Sequence, residues 1–230
     1  MFNKLKKIVY SPKIRYSNRF RGFALNAREE VLKKATMFIQ ANGVVGDYFE
    51  FGVYRGGTFI AAYHFVKNNV KNDIEFLAFD SFKGLPEIKN EDAEDPMYKE
   101  GQYSADLDIF KNELIKNNVD LNKVKIFPGW FDKVLNTELK QKLKDQGKKS
   151  SIVWVDCDLY ESTTVVLDFI KDFLVDGSIV LFDDWVCFKG RPDKGEQKAF
   201  SEWLDKNPNI KVSEFHKFGW NGNSFIIHKS

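Results

Sequence analysis

Two clusters of acidic residues in this chain each follow a short hydrophobic run. Asp156 and Asp158 follow the run Ile-Val-Trp-Val, and Asp183 and Asp184 follow the run Ile-Val-Leu-Phe. Such β-branched and aromatic runs are typical of strands buried on both faces of a parallel sheet, and α/β proteins bind ligands where these strands end. Four carboxylates meeting at one edge would repel one another, so the pattern favours a divalent cation with oxygen ligands. The alternative is two acidic turns that merely follow strands.

Length and composition indicate one globular α/β domain. The chain has 230 residues, of which 43% are hydrophobic and 30% are charged. No apolar run approaches the roughly 20 residues that a membrane-spanning helix needs. The net charge of +2 gives no general indication of nucleic-acid binding. The two cysteines, Cys157 and Cys187, suit a reducing compartment and are expected to pack at strand ends, so we predict a cytoplasmic protein.

Positive charge is concentrated in residues 1–22, which contain no acidic residue. The basic residues there are Lys4, Lys6, Lys7, Lys13, Arg15, Arg19 and Arg21. Such a segment is a solvated tail, an arm that contacts an anionic surface, or a lid over an acidic substrate. Its apolar stretch is too short for a secretory signal. We divide the chain into a basic arm with a helix at 1–45 and an α/β domain at 46–230.

From residue 46 onward, strand and helix signals alternate, which predicts a parallel sheet with crossover helices. The predicted strands are residues 46–51, 74–79, 124–127, 152–155 and 179–182, followed by a closing hairpin of 211–215 and 224–228. The predicted helices are 26–39, 58–68, 106–117, 131–144, 162–173 and 196–204. Asn26 is expected to cap the first helix, and Asp176-Gly177 to form the turn before the fifth strand. The predicted fold is a Rossmann-like, seven-stranded, mostly parallel sheet with helices on both faces and an antiparallel C-terminal hairpin.

A glycine-bearing turn follows the first predicted strand. Glu50, Gly52 and Gly56 lie between this strand and a helix, where the backbone can approach a ligand closely. The turn differs from the dinucleotide fingerprint because Glu50 replaces the first glycine. A carboxylate there would repel a pyrophosphate but attract the sulfonium and amino groups of S-adenosylmethionine. Asp80, at the end of the second strand, is placed to bind ribose hydroxyls. The alternative is a purely structural turn with a partly buried glutamate.

Five motifs occur in a fixed order along the chain: Gly46-Asp-Tyr-Phe-Glu-Phe-Gly-Val-Tyr-Arg-Gly-Gly, Phe79-Asp-Ser-Phe-Lys-Gly-Leu-Pro, Pro128-Gly-Trp-Phe, Val155-Asp-Cys-Asp-Leu-Tyr-Glu-Ser-Thr and Phe182-Asp-Asp-Trp. Together they resemble the macrocin O-methyltransferase family from about residue 46 to the C-terminus. These are metal-dependent class I methyltransferases that act on sugar hydroxyls of macrolide and aminocoumarin antibiotics. The chain departs from the family pattern at Cys157, where a small residue such as glycine is expected, and at Tyr54, where Trp is expected. These departures bear on the substrate more than on the reaction.

The resemblance implies a role for each matching residue. The methionine end of S-adenosylmethionine would be lined by Glu50, Gly52, Arg55 and Gly56. The ribose would be bound by Asp80, with Ser81 beside it, and the adenine would lie near Gly129, Trp130 and Phe131. Mg²⁺ would be bound by Asp156, Asp183 and Asp184, and Asp158 would be the general base. Trp185 and Tyr160 flank the acidic clusters, where they either stack on a sugar or pack in the core.

The predicted function is therefore Mg²⁺-dependent methylation of a hydroxyl on a sugar or glycosylated small molecule. The alternatives are a catechol-type O-methyltransferase, which shares the metal chemistry, and a non-catalytic S-adenosylmethionine-binding scaffold. A nicotinamide oxidoreductase is disfavoured by Glu50. The predicted partners are a small-molecule acceptor and a second copy of the chain, a homodimer being expected by analogy. The loop at 81–104 is long enough to serve as a lid over the acceptor.

Overall fold

The computed structural model describes residues 15–94 and 97–229, except for the side chains of residues 15–25, 91 and 94. The predicted basic arm therefore lies largely outside the described residues. Only the backbone of its last part, from Arg15, is described, as the start of a helix. Across the described residues, none of the helices has both the length and the apolar character to cross a bilayer.

Strands and helices alternate along the described chain. The helices are α1 (Arg15–Asn42), α2 (Gly57–Asn69), α3 (Leu107–Lys116), α4 (Phe131–Val134), α5 (Thr137–Asp145), α6 (Tyr160–Ile170) and α7 (Gly195–Lys206). The strands are β1 (Asp47–Phe51), β2 (Phe76–Asp80), β3 (Val124–Pro128), β4 (Ser150–Val155), β5 (Leu174–Phe182), β6 (Ile210–Glu214) and β7 (Asn223–Lys229). Single 3₁₀ turns occupy Asn90–Glu94, Leu121–Lys123 and Phe188–Gly190.

All seven strands form one sheet in the order β3-β2-β1-β4-β5-β7-β6. Strands β1 to β5 pair in parallel, and β7 runs antiparallel to both of its neighbours, β5 and β6. The predicted sheet and its closing hairpin are confirmed. Chain order reverses between β1 and β4, and α/β proteins bind ligands beyond the carboxyl ends of strands at this switch point.

The side chains of the central strands alternate between two hydrophobic cores, one on each face of the sheet. Tyr48 and Trp154 belong to the core that α1, α2 and α3 cover. Phe49 and Phe51 belong to the core that α5, α6 and α7 cover. Because both faces are buried, the strands contain the continuous apolar runs from which the sheet is predicted.

Three local predictions are wrong. Asn26 does not cap α1, because residues upstream continue the helix to Arg15. The predicted helix at 131–144 is two helices, since the side chain of Asn136 accepts a hydrogen bond from the Leu139 amide (2.9 Å) and caps α5 separately. Asp176 and Gly177 lie inside β5, where four residues of β5 (175–178) oppose only Ser151 of β4 between the paired positions, so the predicted turn is a bulge within the strand.

Helix α1 belongs to the same packed unit as the sheet. Its buried residues Val31, Leu32, Ala35 and Ile39 join the core that contains the first face of the sheet. The spacing of these residues follows one face of a helix. The division of the chain at residue 46 stays a prediction, but the helix before this point is fixed against the domain after it.

The stacked rings of the second core provide a test of the packing. The buried ring of Phe79 stacks between those of Phe51 and Phe127, with centroid separations of 4.5 and 4.7 Å. We expect Phe79→Ala to lower the free energy of unfolding by about 3–5 kcal/mol, because truncation leaves a cavity. Leu121→Ala, in which the lost side chain is 44% exposed, is the control and should cost less than about 0.5 kcal/mol. If denaturant unfolding showed the same loss of free energy for both variants, this packing would be contradicted.

Candidate active site at the sheet edge

The acidic residues begin where β4 and β5 end, at one edge of the sheet. The amide of Asp156 donates to the Phe51 carbonyl, and the amide of Asp183 donates to the Val155 carbonyl, both at 2.9 Å. The ladder of backbone hydrogen bonds therefore extends one residue past each strand. This pairing fixes the backbone of both acidic clusters next to the end of β1.

Three of the four predicted carboxylates converge. Asp156, Asp158 and Asp184 each offer an oxygen atom that lies within 4.8 Å of the other two. Asp158 reaches this group because the chain turns sharply after β4: its φ is 61°, and the Leu159 amide donates to the Cys157 carbonyl at 2.6 Å. The two acidic clusters thus form one site.

The fourth carboxylate, Asp183, is paired with an arginine from the N-terminal helix. The Nε atom of Arg28 donates to Oδ1 of Asp183 at 2.7 Å, and Nη2 donates to Oδ2. The same Nη2 lies 3.9 Å from Oδ2 of Asp156. Burial works against the charge of Arg28, but Asp183 and Asp156 outweigh it and raise its pKa. Arg28 is therefore a fixed cation at the border of the site.

Asp184 is held by the elements that follow β5. Its amide donates to Oε2 of Glu196 at 2.9 Å, and its Oδ1 accepts hydrogen bonds from the Cys187 thiol (3.4 Å) and the Asn221 side chain (3.5 Å). Burial and then repulsion from Asp183 raise the pKa of Asp184 to about 6. Both cysteines are buried free thiols. Cys187 thus contributes a hydrogen bond to the site in addition to packing.

This arrangement fits a divalent cation. Among the described residues, Oδ2 of Asp184 and Oε1 of Glu196 are buried without a hydrogen-bond partner. Burial, followed by repulsion from Asp184, raises the pKa of Asp158. Carboxylate oxygens are the ligands that Mg²⁺ prefers, and a cation among them would supply the missing partner and compensate the repulsion.

The predicted cofactor turn lies directly beside the acidic group. Glu50 is buried, accepts a hydrogen bond from the Tyr48 hydroxyl, and has a pKa raised by burial. Gly52 has a φ of 86°, and a Cβ there would lie 2.0 Å from the carbonyl oxygen of Asp156. Only glycine allows β1 to end this close to the chain that leaves β4.

Asp80 joins the ends of three strands. Its Oδ2 accepts hydrogen bonds from the amides of Val53 (2.7 Å) and Tyr54 (3.0 Å), and its Oδ1 accepts one from Phe82 (2.6 Å). Its carbonyl accepts a hydrogen bond from the Gly129 amide at 2.8 Å. Asp80 therefore shapes the turn after β1 and holds the end of β3, a role that the sequence did not indicate.

The other predicted cofactor residues surround the same edge. Gly56, with a φ of 84°, precedes α2, which begins without a side-chain cap. Arg55 is exposed, with its guanidinium carbon 5.5 Å from the centroid of the Tyr54 ring. The Ser81 hydroxyl donates to the Gly84 carbonyl at 2.8 Å and shapes the loop after β2.

The predicted adenine region follows β3. Gly129 has a φ of 142°, and Trp130 immediately precedes α4. The ring of Phe131 meets that of Phe51 edge to face, with centroids 6.1 Å apart. The turn after β3 is thus packed against the end of β1.

Two aromatic residues that flank the acidic clusters are structural. Trp185 packs in the second core, 4.8 Å from the Phe225 ring, and the Tyr160 hydroxyl donates to Glu202 at 2.8 Å. Trp220, by contrast, is an exposed aromatic residue near the site, with 60% of its surface accessible. Its neighbour Asn221 contacts Asp184, which places Trp220 on the loop beside the cluster.

The loop at 81–104 is largely fixed to the protein. Asp92 is buried and accepts hydrogen bonds from the amides of Tyr160 (2.9 Å) and Glu161 (3.2 Å), at the start of α6. Tyr98 is buried and packs against Phe188, with ring centroids 5.5 Å apart. Its function as a lid stays a prediction.

Sequence reasoning missed Arg28. The available signal was its helical spacing: Arg28 lies four, seven and eleven positions before Leu32, Ala35 and Ile39, which are all buried. A charge on the apolar face of a helix calls for a partner. The partner lies 155 positions away, so only the folded chain identifies it.

A model of the macrocin O-methyltransferase family (TylF) matches residues 23–201. Over 152 residues, the chain is 28% identical to the 8-demethyl-8-(2,3-dimethoxy-alpha-L-rhamnosyl)-tetracenomycin-C 4'-O-methyltransferase of Streptomyces olivaceus, covering 64% of this chain and 56% of that protein. Over 164 residues, it is 29% identical to the demethyldecarbamoylnovobiocin O-methyltransferase of Streptomyces niveus, covering 69% of this chain and 60% of that protein. The chain thus spans less than two thirds of these curated relatives.

A similar fold occurs in the solved structure of the O-methyltransferase NovP. The TM-score is 0.73 at 20% sequence identity, and the match covers 89% of this chain and 80% of that chain. At this identity, the similarity establishes the fold.

The contact between Gly52 and Asp156 gives a testable prediction. We expect Gly52→Ala to lower the free energy of unfolding by roughly 3 kcal/mol or more, because left-handed strain adds to a clash with the Asp156 carbonyl. Gly147→Ala is the matched control: its φ is 69°, but nothing lies within 4 Å of the added Cβ, so it should cost about 1 kcal/mol. Equal losses in denaturant unfolding would show that the close approach is not constraining.

Proposed function

Because the chain belongs to the macrocin O-methyltransferase family, we propose that it transfers a methyl group from S-adenosylmethionine to a hydroxyl of a sugar or glycosylated small molecule. The observation that carries the proposal is the convergence of Asp156, Asp158 and Asp184 within 4.8 Å. This group lies beside a glycine turn that differs from the dinucleotide fingerprint at Glu50. A site for a cation and a site for a cationic methyl donor would then adjoin.

In this proposal, Asp156, Asp183 and Asp184 would hold Mg²⁺. The ion would supply positive charge that lowers the pKa of the acceptor hydroxyl, which is otherwise a very weak acid. Asp158 would take the proton as the hydroxyl oxygen attacks the methyl carbon; the bond between that carbon and sulfur breaks, and S-adenosylhomocysteine leaves as the neutral thioether. The place of Asp158 in the same carboxylate group puts it within reach of an acceptor held there.

Cofactor binding is assigned to the turns after β1, β2 and β3. Glu50, Gly52, Arg55 and Gly56 would bind the methionine end, and the buried carboxylate of Glu50 would face the cationic part. Asp80 and Ser81 would bind the ribose, and Gly129, Trp130 and Phe131 would surround the adenine. The three turns are tied together through Asp80, so they would position the donor as a unit.

Acceptor binding is assigned to the rim on the side of Asp184. Trp220 is 60% exposed and Val186 is 37% exposed, and the Val186 amide donates to the Asn221 carbonyl at 2.9 Å. An aromatic face can pack against the apolar C–H face of a sugar ring. The role of the protein is then to align oxygen, methyl carbon and sulfur, and such alignment accounts for much of the rate of a group transfer. A cytoplasmic location and a homodimer stay predictions.

The assignment of Asp158 as the base gives the test of the proposal. We expect Asp158→Asn to bind S-adenosylmethionine with unchanged affinity and to lower the methyl-transfer rate by about 10²- to 10⁴-fold, because the amide cannot accept the proton. Transfer of a labelled methyl group would be measured with Mg²⁺ and a panel of nucleotide sugars, glycosides and a catechol. Asp205→Asn, a change at an exposed position of α7, is the control and should keep full activity.

Two results would contradict parts of the proposal. Full activity of Asp158→Asn would show that Asp158 is not the general base. Methylation of the catechol with no transfer to any sugar would change the acceptor class. Loss of activity on treatment with a chelator, restored by Mg²⁺, is the expected behaviour of the wild-type protein.

A further inference from the structure

Arg28 is a charged residue on the core-facing side of α1. Its side chain retains 30% exposure, while that of its partner Asp183 retains only 2%. The helix cannot easily shift, because Val31, Leu32, Ala35 and Ile39 bury it against the first face of the sheet. Packing of α1 therefore delivers a guanidinium group to the acidic edge of the sheet.

The guanidinium group lies between two carboxylates of the site. Its Nη2 atom donates to Oδ2 of Asp183 and lies 3.9 Å from Oδ2 of Asp156. Its Nε atom donates a hydrogen bond to the other oxygen of Asp183, Oδ1, at 2.7 Å, so both oxygens of that carboxylate are paired with Arg28. Asp156 and Asp183 are also two of the three residues assigned to Mg²⁺ under the proposed function. The Arg28 guanidinium and the proposed Mg²⁺ would therefore occupy overlapping positions between Asp156 and Asp183.

We propose that Arg28 is an internal counter-cation that competes with the divalent metal for Asp183. The inference rests on the proposed function, because it assumes that a metal binds this carboxylate group. Without metal, the ion pair between Arg28 and Asp183 offsets part of the repulsion among the carboxylates. The metal can coordinate Asp183 only when this ion pair breaks. Metal affinity is therefore set partly by a residue of the N-terminal helix that would not itself be a metal ligand.

Two physical effects predict the same sign for removal of the arginine. Replacing Arg28 with methionine removes a positive charge next to the metal region, which strengthens the attraction of a second cation. It also frees both oxygens of Asp183. The opposite effect would be expected of an arginine that orients a ligand, since loss of such a partner weakens metal binding about 10- to 100-fold.

The experiment is a titration of Mg²⁺ into chelator-treated full-length protein, followed by calorimetry, with Mn²⁺ binding by electron paramagnetic resonance as a second readout. We expect Arg28→Met to bind either metal about tenfold more tightly than the wild type, and to melt at a lower temperature when stripped of metal. Lys34→Met is the control on the same helix: Lys34 pairs with Glu30 at 2.9 Å on the surface, and its loss should leave metal affinity unchanged.

A second variant covers the case in which Arg28→Met does not fold. Arg28→Lys keeps the charge but replaces the two-nitrogen fork with a single ammonium group, so we expect metal affinity to rise about threefold. Unchanged or weaker metal binding by the folded variants would overturn the inference while leaving the proposed metal site intact. Absence of metal binding by the wild type and by every variant would overturn both. Binding by the Arg28 variants alone would support the competition in its strongest form.

Discussion

Four carboxylates lie together where β4 and β5 end, and their mutual repulsion governs how the site is built. The backbone forces the carboxylates together, because parallel neighbours end at one edge of the sheet. The described residues compensate this repulsion only in part. Arg28 pairs with Asp183, whereas Oδ2 of Asp184 is buried without a hydrogen-bond partner. An acidic site of this kind is stable in its charged form only when cations join it, which ties the fold to metal chemistry.

The close approach of the turn after β1 to the chain that leaves β4 also shapes the site. Gly52 brings the turn after β1 against the carbonyl of Asp156, so the proposed cofactor turn and the acidic group share a boundary. Asp80 fixes the same turn through the amides of Val53 and Tyr54. A methyl donor on one side and a hydroxyl on the other would therefore meet over a short distance, and their separation would be set by backbone instead of flexible side chains.

The centre of the sheet was predictable because β2, β4 and β5 contain runs of at least four buried apolar residues. Asp156, Asp158 and Asp184 were predictable together, since each lies within three residues of the end of such a run. Features that depend on contacts distant in sequence were not predictable. Arg28 meets its partner only after α1 packs on the sheet. Asp92, whose carboxylate accepts hydrogen bonds from the first amides of α6, comes from the long loop at 81–104. The upstream extension of α1 was missed because asparagine is a common N-cap residue, whereas Asn26 lies inside the helix.

The most direct test of the account is calorimetric titration of the protein with S-adenosylmethionine and with NAD, each with and without Mg²⁺. We expect S-adenosylmethionine to bind and NAD not to bind, because Glu50 stands where a pyrophosphate would need a glycine. Binding of S-adenosylmethionine should not require Mg²⁺, since the metal is assigned to the acceptor side. Folded protein that binds NAD, or that fails to bind S-adenosylmethionine under either condition, would contradict the methyltransferase account and leave the acidic edge as a metal site of another function.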